Sequence, residues 1–188
     1  KVVAEALVID GSAAKDDMTC AVVYYRHPRR LLVITGPPFL KEHDTQLAEM
    51  VRTFPGRKAI CGGTTANIVA RELNRPVRPL LTHLDPEIPP AAEMEGVDLV
   101  TEGTMTLARV AEMLEQGAAQ PWPDNPARDL MNQMLQSDIV EFVVGTRINE
   151  AHQDPNVPVE LGLRRGIVRR IISLLETKYL KGCKLQFV

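Results

Sequence analysis

The chain has 188 residues, 45% of them apolar, which is enough for one sizeable domain, or for one domain and a fragment of another. With 22 Lys and Arg against 24 Asp and Glu, the balanced charge argues against a nucleic acid or a membrane surface as partner. Cys20, Cys61 and Cys183 lie far apart without a CxxC spacing, which argues against a disulfide framework and favours a reducing cytoplasm.

The amino-terminal residues carry no targeting signal that we can identify. No apolar run approaches the ~20 residues that span a bilayer, and there is no signal peptide. Together with the cysteine pattern, this predicts a cytoplasmic protein. Because Lys1 leads almost directly into a strand-like stretch, we expect the chain to begin inside a longer protein.

Two apolar, β-branched stretches come first, at residues 2–9 (VVAEALVI) and 18–25 (MTCAVVYY). The loop DGSAAKDD joins them, as in an antiparallel hairpin. The charged stretch RHPRR then interrupts the pattern. We therefore predict two regions, a terminal hairpin over residues 1–28 and an α/β domain over residues 29–188.

Strands and helices alternate from Leu31 onward. The pattern predicts strands near 31–36, 58–63, 97–103 and 139–146, a short strand in CKLQFV, and helices near 43–54, 64–74, 104–116 and 158–177. Two proline-rich stretches, 79–96 and 120–126, are expected to be ordered connections because they carry apolar anchors. Such alternation favours a three-layer fold with four or five mostly parallel strands covered by helices.

A Gly-Thr pair follows each of three predicted strands, at Gly63-Thr64, Gly103-Thr104 and Gly145-Thr146. One explanation is structural, since Gly suits turns and Thr caps helices. The other is functional, because loops at the carboxyl ends of parallel strands gather where ligands bind. Their N–H groups and helix dipoles would favour an anionic small molecule.

The candidate ligand-binding residues follow from these loops, with Arg147 as the nearest counter-charge. They are Gly62, Gly63, Thr64, Thr65, Asn67, Gly103, Thr104, Thr146 and Arg147. The sequence CGGTTA matches neither GxxxxGK[ST] nor GxGxxG, so it does not identify a nucleotide-binding fold. Cys61 could be a nucleophile at a helix start, but a cysteine phosphatase loop needs an arginine where Asn67 stands, which favours a buried apolar role.

Two adjacent aspartates, Asp16 and Asp17, precede the apolar stretch 18–25. They are either an acidic turn or part of a metal site. The segment DGSAAKDDMTCAVVYYR resembles the closing motif of the metal-dependent, type 2C Ser/Thr protein phosphatases, in particular their bacterial SpoIIE-like branch. Stretches similar to CGGTTANIVAREL and VGTRINEAHQ also occur in a domain appended to such phosphatases in some anaerobic bacteria.

The resemblance implies that Asp16 is a metal ligand and that Asp17 supports the site. Carboxylates suit Mn²⁺ or Mg²⁺, and two such metals can activate water for attack on a phosphate. The family's other metal aspartates have no counterpart here, so no catalytic residue is assigned. Two hypotheses follow: the carboxyl-terminal portion of a SpoIIE-like phosphatase acting on a phosphoprotein, or a non-catalytic α/β domain that binds an anionic small molecule at the Gly-Thr loops.

Overall fold

A seven-stranded sheet lies at the centre of the computed structural model, which describes residues 1–13, 16–80, 85–147 and 157–188. Its strands are β1 (Arg30–Thr35), β2 (Arg57–Cys61), β3 (Arg78–Pro79), β4 (Ala92–Met94), β5 (Val97–Thr101), β6 (Ile139–Val144) and β7 (Gly182–Phe187). They lie side by side in the order β3-β4-β5-β2-β1-β6-β7.

Five of these strands are parallel. β1 pairs with β2 and β6, β2 pairs with β5, and β6 pairs with β7. By contrast, β4 is antiparallel to both β5 and β3. The predicted mostly parallel α/β fold is confirmed. The sequence did not predict β3 and β4, because elements of 2 and 3 residues are too short to show a periodicity.

The described residues form six α-helices, of which the last five cover the two faces of the sheet. They are α1 (Val2–Ile9), α2 (Asp44–Thr53), α3 (Gly63–Leu73), α4 (Thr104–Gln116), α5 (Pro126–Gln136) and α6 (Val157–Thr177), with a short 3-10 helix over Lys41–His43. α2 and α3 pack on one face, with Leu32 and Ile34 of β1. α4, α5 and α6 pack on the other, with Leu31 and Val33, because successive strand side chains alternate between faces. None of the described helices is long and apolar enough to cross a bilayer.

The sequence analysis did not predict α5. Its signals were nevertheless local ones: Asn125 accepts a hydrogen bond from the N–H of Arg128 at 3.0 Å, and Pro126 occupies the first helical position. Asparagine caps and first-turn prolines are typical of helix starts. The proline-rich stretch 120–126 thus ends in a helix start.

The predicted amino-terminal hairpin is wrong. Residues 2–9 form the helix α1, none of whose side chains is buried, and residues 18–25 form no strand. A two-stranded hairpin is only marginally stable by itself, whereas a helix forms its hydrogen bonds within one segment. The β-branched pattern of residues 2–9 would favour a strand only where a sheet is available for pairing.

Two arginines attach the segment before β1 to the turn before β6. The guanidinium groups of Arg26 and Arg29 hydrogen-bond to the carboxylate of Asp138, which also accepts the backbone N–H of Arg29 at 2.7 Å. Arg26 first, and then Arg29, hold the pKa of Asp138 well below its usual range. The bonds of Arg26 cross the predicted boundary between 1–28 and 29–188, and that boundary stays a prediction.

Candidate functional site

The carboxyl ends of four parallel strands are level with one another. Thr35 of β1 pairs with Cys61 of β2 and with Val144 of β6, and Cys61 pairs with Thr101 of β5. Neighbouring strands lie about 4.8 Å apart, so the loops that follow β2 and β5 are adjacent. The loop after β6 is two strands away from the loop after β2. The predicted site residues therefore share one edge of the sheet but lie in two groups.

The first group begins at the start of α3. Gly62 adopts a φ of +132°, which favours glycine, and its N–H donates to the carbonyl of Thr101 at 2.9 Å. Its own carbonyl accepts the N–H of Ala66 at 2.9 Å. Because Gly62 has no side chain, it cannot cap the helix as Asn125 caps α5. Gly63 and Thr64 are exposed at this helix start, where the helix dipole favours an anion.

Thr65 lies in the first turn of α3 and is 1% exposed. Its hydroxyl has no hydrogen-bond partner among the described residues. The hydroxyl oxygen is 3.4 Å from the position that a Cβ on Gly62 would take, so it lies beside the loop. Leaving a buried polar group unpaired is destabilising. The hydroxyl is therefore a donor and acceptor that the described part of the fold does not use.

The start of α4 has a different electrostatic environment. Gly103 precedes the helix, and Thr104 is its first residue. The carboxylate of Glu102 accepts the N–H of Met105 at 3.1 Å, so the chain supplies its own negative charge there. The neighbouring hydroxyl of Thr106 is fully buried and has no partner among the described residues. This helix start is thus less suited to an anion than that of α3.

The second group of predicted residues, Thr146 and Arg147, bonds to other parts of the fold. Thr146 donates both its N–H and its hydroxyl to the main-chain oxygen of Val188, each at 2.9 Å. Gly145 lies so close to the loop after β1 that a Cβ would be 2.1 Å from the carbonyl oxygen of Pro37. The two loops therefore pack directly on each other.

Arg147 belongs to an ion-pair cluster that the sequence analysis missed. Its guanidinium is 3.5 Å from the carboxylate of Asp44, which lies at the start of α2 and is 3% exposed. Arg71 of α3 bonds to the same carboxylate at 2.7 Å and also to Glu72. Asn67, one turn before Arg71, is exposed. Arg71 and Arg147 thus share an internal anion, and no local sequence signal could have paired residues so distant in the chain.

Cys61 ends β2 and is fully buried. Burial raises the pKa of its thiol to about 12 and outweighs the opposing effect of the neighbouring Thr101 hydroxyl. A thiol with such a pKa is protonated at neutral pH and is a poor nucleophile. The interpretation of Cys61 as a buried, non-catalytic residue agrees with this environment.

Asp16 and Asp17 lie outside the α/β sheet and are both exposed. The N–H of Asp17 donates to the carboxylate of Asp16 at 2.8 Å. Within the described part of the chain, no group of three or more His, Cys, Asp or Glu side chains could hold a metal. Two carboxylates alone do not fit the ligand set of Mn²⁺ or Mg²⁺, so the metal site stays a prediction about a longer protein.

Comparisons with protein-family models, with curated proteins and with solved structures found no significant match. Functional inference therefore depends on the residues of this chain and on their geometry.

Proposed function

We propose that the α/β region binds an anionic small molecule at the start of α3, with Gly62, Gly63, Thr64 and Thr65 forming the site. The observation that carries this proposal is the buried, unpartnered hydroxyl of Thr65 beside a helix start that Gly62 leaves without a side-chain cap. The N–H groups of a first helical turn favour negative charge. A ligand oxyanion would supply the acceptor that the Thr65 hydroxyl lacks.

The topology supports this location. α3 lies on the face of the sheet that it shares with α2, whereas α4 lies on the face that it shares with α5 and α6. The chain therefore leaves the adjacent strands β2 and β5 toward opposite faces. In open α/β sheets, ligands bind outside the carboxyl ends of the strands. The start of α3 lies at this edge, one strand away from the point between β1 and β6 where the strand order reverses.

The proposal is tested by calorimetric titration of the full chain with inorganic phosphate. A hydrogen bond to a charged group contributes on the order of 1.5–3 kcal/mol, so Thr65→Val should weaken binding about tenfold or more. Because the hydroxyl is unpartnered, the same substitution should leave the free energy of unfolding unchanged or slightly higher. Gly63→Ala is a second variant: outside its own helix turn, its methyl group would meet no atom of the described residues within 4 Å, so there is room for it in the fold, and it would obstruct a ligand.

Thr106→Val is the matched control. Thr106 occupies the same first-turn position in α4 and is equally buried and unpartnered, but the helix start there already carries the carboxylate of Glu102. Phosphate affinity should therefore change less than about twofold in this variant. Absence of phosphate binding, or equal weakening by Thr65→Val and Thr106→Val, would overturn the proposed site.

We also retain the proposal that the chain is the carboxyl-terminal portion of a SpoIIE-like phosphatase that acts on phosphoserine or phosphothreonine in proteins. The resemblance of the segment around Asp16 and Asp17 is its support, and the exposure of both carboxylates leaves them accessible to further ligands. In such a protein, the anion site would lie in an accessory domain.

A further inference from the structure

Glu102 lies beside the proposed anion site. Because Cys61 and Thr101 are paired, the residues that follow them leave the sheet side by side. A Cβ on Gly103 would be 3.4 Å from the Cα of Gly62, so the two loops are in direct contact. The site therefore has a positive helix start on one side and a carboxylate-bearing loop on the other.

The carboxylate of Glu102 is held in place. One oxygen accepts the N–H of Met105 at 3.1 Å, and the hydroxyl of Thr101 donates to the backbone carbonyl of Glu102 at 2.7 Å. After burial, the charge of Glu102 is a further cause of the raised pKa of Cys61, which indicates that the carboxylate is near the end of β2. Among the described residues, no Lys or Arg forms an ion pair with Glu102.

A ligand that binds both at the start of α3 and at Glu102 must carry two kinds of chemical group. Its anionic part would bind at the start of α3, and a neutral part with hydrogen-bond donors would face Glu102, which repels a second negative charge. A phosphorylated sugar has this combination, because its phosphate is an anion and its hydroxyls are donors. In dinucleotide-binding sheets, an acidic residue likewise bonds to ribose hydroxyls while the phosphate lies at a helix start.

We propose that the ligand contains a phosphorylated ribose, free or within a nucleotide, whose phosphate binds at the start of α3 and whose ribose hydroxyls donate to the carboxylate of Glu102. This inference rests on the proposed anion site and specifies its ligand class. The unpartnered hydroxyl of Thr65, buried beside Gly62, is the observation that marks the phosphate position.

The test compares inorganic phosphate, ribose phosphate, AMP and dideoxy-AMP, which lacks both ribose hydroxyls, by calorimetric titration of the full chain. We expect ribose phosphate and AMP to bind at least about tenfold more tightly than phosphate and dideoxy-AMP, because a site built to accept hydroxyl donors loses affinity when they are missing. Glu102→Gln keeps an oxygen for the N–H of Met105 but removes the charge. The Glu102→Gln substitution should reduce the preference for AMP over dideoxy-AMP about fivefold or more, and it should not weaken the binding of inorganic phosphate.

Glu112→Gln is the matched control, since Glu112 lies farther along α4 and pairs with Arg109; it should leave all four affinities unchanged. If phosphate and AMP bind with equal affinity, or if Glu102→Gln leaves the preference for ribose hydroxyls intact, the ribose inference is wrong while the anion site stands. If none of the four compounds binds, the anion site itself is refuted. Equal weakening of phosphate and AMP by Thr65→Val would support a shared phosphate position at the start of α3.

Discussion

Among the charged groups that attach residues 26–29 to the sheet, Asp138 should contribute most to stability. Its carboxylate bonds to the guanidinium groups of Arg26 and Arg29, at 2.8 and 3.1 Å, and to one backbone N–H at 2.7 Å. Asp138→Asn keeps an oxygen for the backbone N–H and removes the charge from both arginine contacts. The side chain of Asp138 is 28% exposed, so we expect the substitution to lower the free energy of unfolding by about 1–2 kcal/mol. This value lies between those for exposed ion pairs and for buried hydrogen bonds to charged groups.

This loss should depend on pH. The two arginines lower the pKa of Asp138 in the folded chain. A carboxylate whose pKa is lower in the folded than in the unfolded chain stabilises the fold fully above its unfolded pKa of about 4, and this stabilisation is lost as the pH falls below that value. The difference between wild type and Asp138→Asn should therefore be constant from about pH 5 to 7 and shrink toward pH 2.

Urea unfolding of both proteins across this pH range measures the difference directly. At neutral pH the midpoint of thermal unfolding should fall by about 2–8 °C, given about 2–4 °C for each kcal/mol in a chain of this size. Glu49→Gln is the control, because it removes the same charge from an exposed pair with Arg52 within one helix, and it should have no measurable effect. An unchanged stability in Asp138→Asn, or a difference as large at pH 2 as at pH 7, would refute the role of this carboxylate.

Two further predictions concern thiols and metal. Under native conditions a thiol-modifying reagent should label the exposed Cys20 at once and Cys183 slowly, since burial raises the pKa of Cys183 to about 11. It should label the buried Cys61 only after unfolding. Rapid labelling of Cys61 in the folded chain would contradict its burial. Because too few carboxylates are present for tight Mn²⁺ binding, the 188-residue chain should hydrolyse an aryl phosphate with Mn²⁺ no faster than its Asp16→Ala variant. Clear Asp16-dependent turnover would mean that this chain completes the metal site by itself.

Local patterns were sufficient for much of the fold. The strands β1, β2, β5 and β6 and the helices α2, α3 and α4 have apolar residues at the spacing of their own type over at least five residues, which is the range in which periodicity is informative. The same kind of pattern failed for residues 2–9, because β-branched residues favour a strand only when a neighbouring strand supplies hydrogen bonds. It also failed for β3 and β4, which depend on pairing with a neighbour: β4 pairs with β5, and β3 pairs with β4.

The candidate site likewise has a part that local patterns predict and a part that they do not. A strand, two glycines and an amphipathic helix in succession were enough to predict a helix start at Thr64, one residue from the observed start at Gly63, because each signal lies within a few residues of the next. The contact between Gly62 and Gly103 depends on β2 and β5 being neighbours, which is decided by the crossover connections of the sheet. Asp44 pairs with Arg71 and Arg147, which follow it in the chain by 27 and 103 positions. The sequence by itself therefore determined the local elements and their caps. Only the tertiary structure decided that the loop of Glu102 lies against Gly62 and that Arg147 is bound to Asp44, since both depend on the order of the strands.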